Sequence, residues 1–185
     1  KILFLLKNSN YSYRDISILV RKRKYFTDLE KVFLKYEIPF TIIGGRGFYQ
    51  RQTIADVFNY LSFLADENNS AALVGLLRSP FFNVSDSKLF EVSLNKGRSI
   101  WRKLNLIKDD IEISQICELL NENISMSSSV SLPDLIQKII TDRNFLSVLS
   151  SRNDSDQEIA NLNKLITIAR NFNAVGFRNL FDFLT

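Results

Sequence analysis

The chain has 185 residues, 24 Lys and Arg against 20 Asp and Glu, and a formal net charge of +4, which leaves room for one domain or one with a small annex. With 45% hydrophobic and 24% charged residues the composition is that of a folded protein, and disorder is excluded as the main state. One cysteine, Cys117, excludes an internal disulfide and a multi-cysteine zinc site, and the absence of His excludes Ser-His-Asp and Cys-His triads, so any catalysis would rest on carboxylates, Lys, Tyr or Arg.

Lys1–Lys7 has the pattern of a helix end, closed by the turn-forming Asn8-Ser9-Asn10. The β-branched run Ile16–Val20 predicts a short buried strand. Leu29, Val32, Phe33 and Tyr36 fall on one face of a helix that cannot pass Pro39, and Phe40–Ile43 predicts a second strand. A strand, a helix and a strand with short connections form a βαβ-like unit, whose default is parallel pairing through a right-handed crossover. After Gly44-Gly45-Arg46-Gly47 the pattern turns helical throughout. Apolar stripes mark helices at Ile54–Leu64, Ile113–Leu120, Leu132–Ile139, Leu162–Ala169 and Phe177–Leu184, with Ser131 placed as an N-cap. The polar stretches Asp66–Ser70, Asn121–Ser131 and Ser150–Ser155 read as linkers. The fold class is therefore mainly α, with a small βαβ-like piece in front and a boundary near Arg51. No run approaches the ~20 apolar residues of a membrane span, and the chain reads as cytoplasmic. Lys1 opens in an apolar run and Thr185 follows directly on a helical pattern, as expected of a piece of a longer chain.

Two basic segments are candidate sites. The loop Gly44–Arg51 lies between a strand and a helix, where backbone N–H groups and the helix N-terminus can face one anion, with Arg46 and Arg51 on either side of Phe48-Tyr49. It lacks the Walker A sequence, and Gln50 stands where a dinucleotide fingerprint needs its third glycine. Its functional reading is arginine to phosphate and aromatic face to base; its structural alternative is a glycine-rich turn with an exposed Phe-Tyr pair. Arg21-Lys22-Arg23-Lys24 follows the first expected strand, at the edge where open α/β sheets bind ligands, and its alternative is a solvated turn. Parallel strands would bring both segments to one edge. Lys96, Arg98, Arg102 and Lys103 around Trp101 are better explained as a solvated face with Trp101 packed inward. Asp154, Asp156 and Glu158 lack the glycine and distal Glu of a calcium loop and, like Asp109-Asp110, suit a helix start; Cys117 suits a core position.

Tyr13-Arg14-Asp15-Ile16-Ser17-Ile18-Leu19-Val20-Arg21, an amphipathic helix, Ile38-Pro39-Phe40, Gly44-Gly45-x-x-Phe48-x-x-Arg51-x-x-Ile54-x-Asp56 and Tyr60-Leu61 together resemble the central part of UvrD/Rep-type superfamily 1 DNA helicases. Leu76-Leu77-Arg78-Ser79-Pro80-Phe81-Phe82-x-x-Ser85-Asp86 is similar to the AddA/RecB branch, the helicase-nuclease subunits of exodeoxyribonuclease V-like complexes. The resemblance implies that residues 1–51 are a segment of the second RecA-like motor domain (2A) and 52–185 its helical accessory domain, 2B. It implies ATP and Mg in the parent chain, single-stranded and duplex DNA as partners, and contact with a partner subunit of a helicase-nuclease complex. This stretch carries no Walker A, Walker B or nuclease carboxylate set, so it should bind no cofactor and be inactive alone. Arg21, with Arg23, would lie where the motor approaches the single strand, and Arg46, Phe48, Tyr49 and Arg51 at the edge of that track. In UvrD-type members a glycine-containing helix-turn-helix of 2B touches the duplex; Phe82–Asp86 has no glycine, which favours a plain helix cap at Ser85. The rival from another class is a helical protein-interaction module without DNA contact, which the mild net charge favours.

Overall fold

A computed structural model describes residues 2–8, 10–21, 25–40, 48–142, 145–150, 155–174 and 179–184. Among these residues the regular elements are helical and there is no strand. The chain divides into two compact units, Lys1–Phe48 and Tyr49–Thr185.

The first unit holds α1 (Ile2–Asn8) and α2 (Phe26–Lys35), separated by a 3-10 turn at Tyr13–Asp15. Ser12 donates its backbone N–H and its hydroxyl to the Asp15 carboxylate at 2.7 and 2.8 Å, and these bonds hold the Asp15 carboxyl below its ordinary value. α2 ends where Glu37 takes a left-handed φ of 52°, letting the Ile38 N–H reach back to the Phe33 carbonyl at 2.9 Å. Phe33 and Phe40 meet at 5.3 Å across this turn. Here one expectation is corrected. Ile16–Val20 is not a strand; the stretch has no regular structure and Leu19 is exposed. A strand needs a ladder partner, and Thr41–Ile43, the core of the expected second strand, lies outside the described residues.

The second unit is helical throughout: α3 (Gln52–Ala65), α4 (Ser70–Arg78), α5 (Asp86–Leu94), α6 (Ile100–Leu104), α7 (Ile111–Ser127), α8 (Leu132–Asp142), α9 (Phe145–Ser150), α10 (Ser155–Ala174) and α11 (Leu180–Leu184). The reason lies in the stripes. Ile54, Val57, Leu61 and Leu64 of α3, Ile113, Ile116 and Leu120 of α7, Leu135, Ile136 and Ile139 of α8, and Leu162, Leu165 and Ala169 of α10 are all buried. α3 is the central helix, packed by α4, α7, α10 and α11, while α10 also covers α8 and α9. Polar residues set the ends. Asn69, Ser85, Ser99 and Asp110 each accept a backbone N–H as N-caps, and Ser131 accepts from the Asp134 N–H ahead of α8. Asp110 also pairs with Lys88, whose ammonium holds the Asp110 carboxyl below its usual range.

The stretch Asn121–Ser131 is corrected from linker to helix as far as Ser127. Asn and Ser are weak helix formers, but here Ser125 and Ser127 turn their hydroxyls back onto the Asn121 and Ile124 carbonyls, and Asn123 is fully buried. The Asn123 amide donates to the Tyr60 hydroxyl at 2.8 Å, tying α7 to α3. Tyr60→Phe is expected to cost about 1–3 kcal/mol, because it leaves a buried amide donor without its acceptor. Chemical denaturation checks this; an unchanged midpoint would show that the bond contributes nothing.

Candidate nucleic-acid interface

The helical unit begins with Tyr49, the 3-10 turn Phe48–Gln50 leading into α3 at Arg51. Arg51 occupies the N-cap in extended conformation, with its carbonyl accepting from Ile54 at 3.0 Å and Ala55 at 2.9 Å. An arginine cannot cap as Ser or Asp does, so its side chain is released from the helix it starts. It reaches α10, where Nη1 stands 3.6 Å from Oε1 of Glu158. The two partners differ sharply in environment: the Arg51 side chain is 39% exposed, that of Glu158 4%. Glu158 Oε2 and Asn161 Nδ2, one turn apart on α10, have no hydrogen-bond partner among the described residues. The Asn161 oxygen accepts from Gln157 at 3.3 Å, and on α3 Gln52 donates to the buried Asp56 at 2.7 Å. A half-solvated cation thus sits against a dry carboxylate at the amino end of α3, where the helix dipole adds positive potential.

The other expected site residues are distributed unevenly. Tyr49, 64% exposed, makes an edge contact at 6.0 Å with Phe58, which stacks on Phe183; Phe183 in turn meets Phe172. Phe48 is buried and offers no open ring face. Arg21 is exposed in the first unit. Arg23 and Arg46, with Gly44, Gly45 and Gly47, lie outside the described residues. The structure therefore brings Tyr49 and Arg51 to the same end of α3 and leaves the rest of the segment unassigned.

Over residues 1–185 the sequence matches the model of the UvrD-like helicase C-terminal domain. The chain belongs to that family. It is 28% identical over 179 residues to an ATP-dependent helicase/nuclease protein, the A component, of Lactobacillus delbrueckii, covering 94% of this chain and 15% of that protein. Against the corresponding helicase/nuclease component of Lactobacillus helveticus it is 25% identical over 184 residues, 96% of this chain and 15% of the relative. The ATP-dependent DNA helicase PcrA of Staphylococcus aureus is 23% identical over 188 residues, 94% of this chain and 26% of PcrA. The chain thus spans between about a seventh and a quarter of the length of these relatives.

In this UvrD-like domain the Leu76–Asp86 motif is a structural turn. The Ser79 hydroxyl donates to the Leu76 carbonyl at 2.6 Å and accepts from the Phe81 N–H, while the Ser79 carbonyl takes the N–H groups of Phe82 and Asn83. Asn83 adopts a left-handed φ of 53°, and Arg78 clasps Asp86 through Nε at 2.9 Å and Nη2 at 3.3 Å. Phe81 and Phe82 turn onto Tyr60. Ser85 caps α5 through the Lys88 N–H, the plain cap expected from the missing glycine. Trp101 packs inward against Phe63 and donates its indole N–H to Glu67 at 3.0 Å, while Lys96, Arg98 and Arg102 remain on the surface. Cys117 is buried, which pushes its thiol up to about 11 and makes it a core residue.

Glu158 is the residue that the helix-start explanation misplaces. The dipole explains Asp156 on the surface, but Glu158 is buried on the face that meets Arg51. The signal is present in the spacing: Glu158, Asn161, Leu162, Leu165, Ile166 and Ala169 form one continuous helical stripe. Asp154 lies outside the described residues, and among those described no group of Cys, Asp or Glu could hold a metal ion. No described helix is long and apolar enough to cross a membrane.

Proposed function

We propose that this chain is the DNA-gripping, regulatory part of an ATP-dependent DNA helicase, of the helicase-nuclease kind that works in double-strand break repair in the cytoplasm. Residues 1–51 are read as a segment of the second RecA-like motor domain and 52–185 as 2B. The observation that carries this reading is the family match over residues 1–185, joined to an exposed Tyr49 and a half-exposed Arg51 at the N-terminus of α3. Arg21, Arg23, Arg46 and Arg51 take phosphates of the single strand, Tyr49 offers a ring to a base, and buried Phe48 anchors the segment. The helical unit positions duplex DNA or a partner subunit. These residues do not fit ATP or Mg: the sequence has no phosphate loop of the Walker kind, and the described residues offer no metal ligand set. Nucleotide chemistry belongs to other parts of the parent, and this chain by itself neither hydrolyses ATP nor cuts DNA.

One observation favours a second reading. Phe90 and Leu94 on α5, and Leu106 and Ile111 beside a groove of mixed charge that carries Lys88 and Lys108 as well as Glu91, Asp109 and Glu112, are exposed, an apolar surface rimmed by polar residues that suits a protein partner. Fluorescence anisotropy of labelled single-stranded and forked DNA, titrated across salt, separates the two. Salt-sensitive binding weakened several-fold by Arg46→Ala/Arg51→Lys, which keeps a cation beside Glu158, is the expected result. Absence of binding at low salt would overturn the DNA reading in favour of the partner subunit.

A further inference from the structure

The ion pair at the start of α3 has an unusual imbalance. Glu158 is buried, one of its oxygens accepts no hydrogen bond among the described residues, and the other faces Arg51 through one nitrogen at 3.6 Å, too long for a fork-to-fork pair. The guanidinium has five N–H donors, and more than a third of its side-chain surface is open to solvent. A carboxylate and a phosphate ask for the same planar fork. At this place the chain carries its own anion within reach of the cation that DNA would need.

We propose that Glu158 is an intramolecular competitor for DNA phosphate: it neutralises Arg51 when no DNA is bound and thereby weakens the grip of Arg51 when DNA arrives. This rests on the reading of Arg51 as a DNA contact. The physical sense is direct. With Glu158 ionised, the local charge of the pair is close to zero, so a phosphate gains only the difference between its attraction to Arg51 and its repulsion from the carboxylate. A motor that steps along DNA must release each phosphate as readily as it takes it, and a fixed counter-anion sets that balance without any contact to DNA. Because Glu158 sits on α10 and Arg51 at the start of α3, any shift of α10 along α3 changes the charge offered to DNA.

The test compares three proteins by anisotropy on a labelled oligo-dT strand: the unaltered full chain, Glu158→Gln, and Glu158→Gln/Arg51→Gln. Gln keeps the shape of Glu158 and leaves no unpaired carboxylate in the core, and circular dichroism melts verify the folding of both variants. Glu158→Gln is expected to bind about threefold to tenfold more tightly, with a steeper dependence on salt, and the double variant to lose that gain. If Glu158→Gln binds no more tightly than the unaltered chain while the double variant binds more weakly than Glu158→Gln, Arg51 touches DNA but Glu158 does not compete, and the proposal falls alone. If the two variants bind alike, Arg51 is not on the DNA path and the underlying reading falls with it.

Discussion

Arg51→Ala is expected to lower the unfolding free energy of the helical unit by about 3 kcal/mol, and adding Glu158→Gln to restore most of that loss. Removing one partner of a buried pair leaves an uncompensated charge, which typically costs about 3–5 kcal/mol; the lower end applies because Arg51 is itself partly solvated. Replacing both charges removes the desolvation penalty together with the attraction, so the double variant should lie near the unaltered chain. Denaturant midpoints of the four proteins of this cycle give the coupling directly. Additive effects would show that the pair carries no energy. The consequence for function is practical: reduced unwinding by Arg51→Ala in a full-length helicase would mix loss of DNA contact with loss of fold, whereas Arg51→Lys keeps the cation and removes only the fork.

The second large effect is expected at Phe145. Its ring is fully buried and stacked on Phe81 at 3.9 Å with the planes 6° apart. α9 has only six residues, too few to persist on its own helical propensity, so it stays folded because Phe145 and Leu149 are buried against its neighbours. Phe145→Ala should therefore cost about 3–5 kcal/mol and release α9, seen as lost hydrogen-exchange protection over residues 145–150. Phe145→Leu should cost much less. Equal protection in the alanine variant would mean that α9 is held by something other than this ring.

What can be read in the sequence follows from how each feature is encoded. Long apolar stripes announce themselves, so α3, α7, α8 and α10 are legible, as are the caps at Ser85 and Ser131. Short helices defined by tertiary contact are not. α6 has five residues and is placed by Trp101 reaching Glu67, and α4 has nine residues, among them Gly75, whose helix propensity is low. In the structure Gly75 faces α3, where a β-carbon would stand 2.5 Å from the Asn59 side-chain nitrogen, so a larger residue would have to displace that amide. Asn123 hides the continuation of α7 for the same reason: its partner, Tyr60, is 63 residues away. At the candidate site, Arg51 and Tyr49 are legible as a basic-aromatic segment before a helix. Their ion-pair partner is not, because an acid near a helix start satisfies the dipole wherever it points, and only the burial of the whole stripe turns Glu158 inward.

The most direct test of a DNA path along the start of α3 is photo-crosslinking. An oligonucleotide carrying 4-thiothymidine is irradiated with the full-length protein, and the joined peptides are mapped by mass spectrometry. Adducts on the peptide containing Arg46, Tyr49 and Arg51, suppressed by Tyr49→Ala and by high salt, are the expected result. Adducts confined to the surface around Lys96, Arg98 and Arg102, with none at residues 46–51, would contradict it.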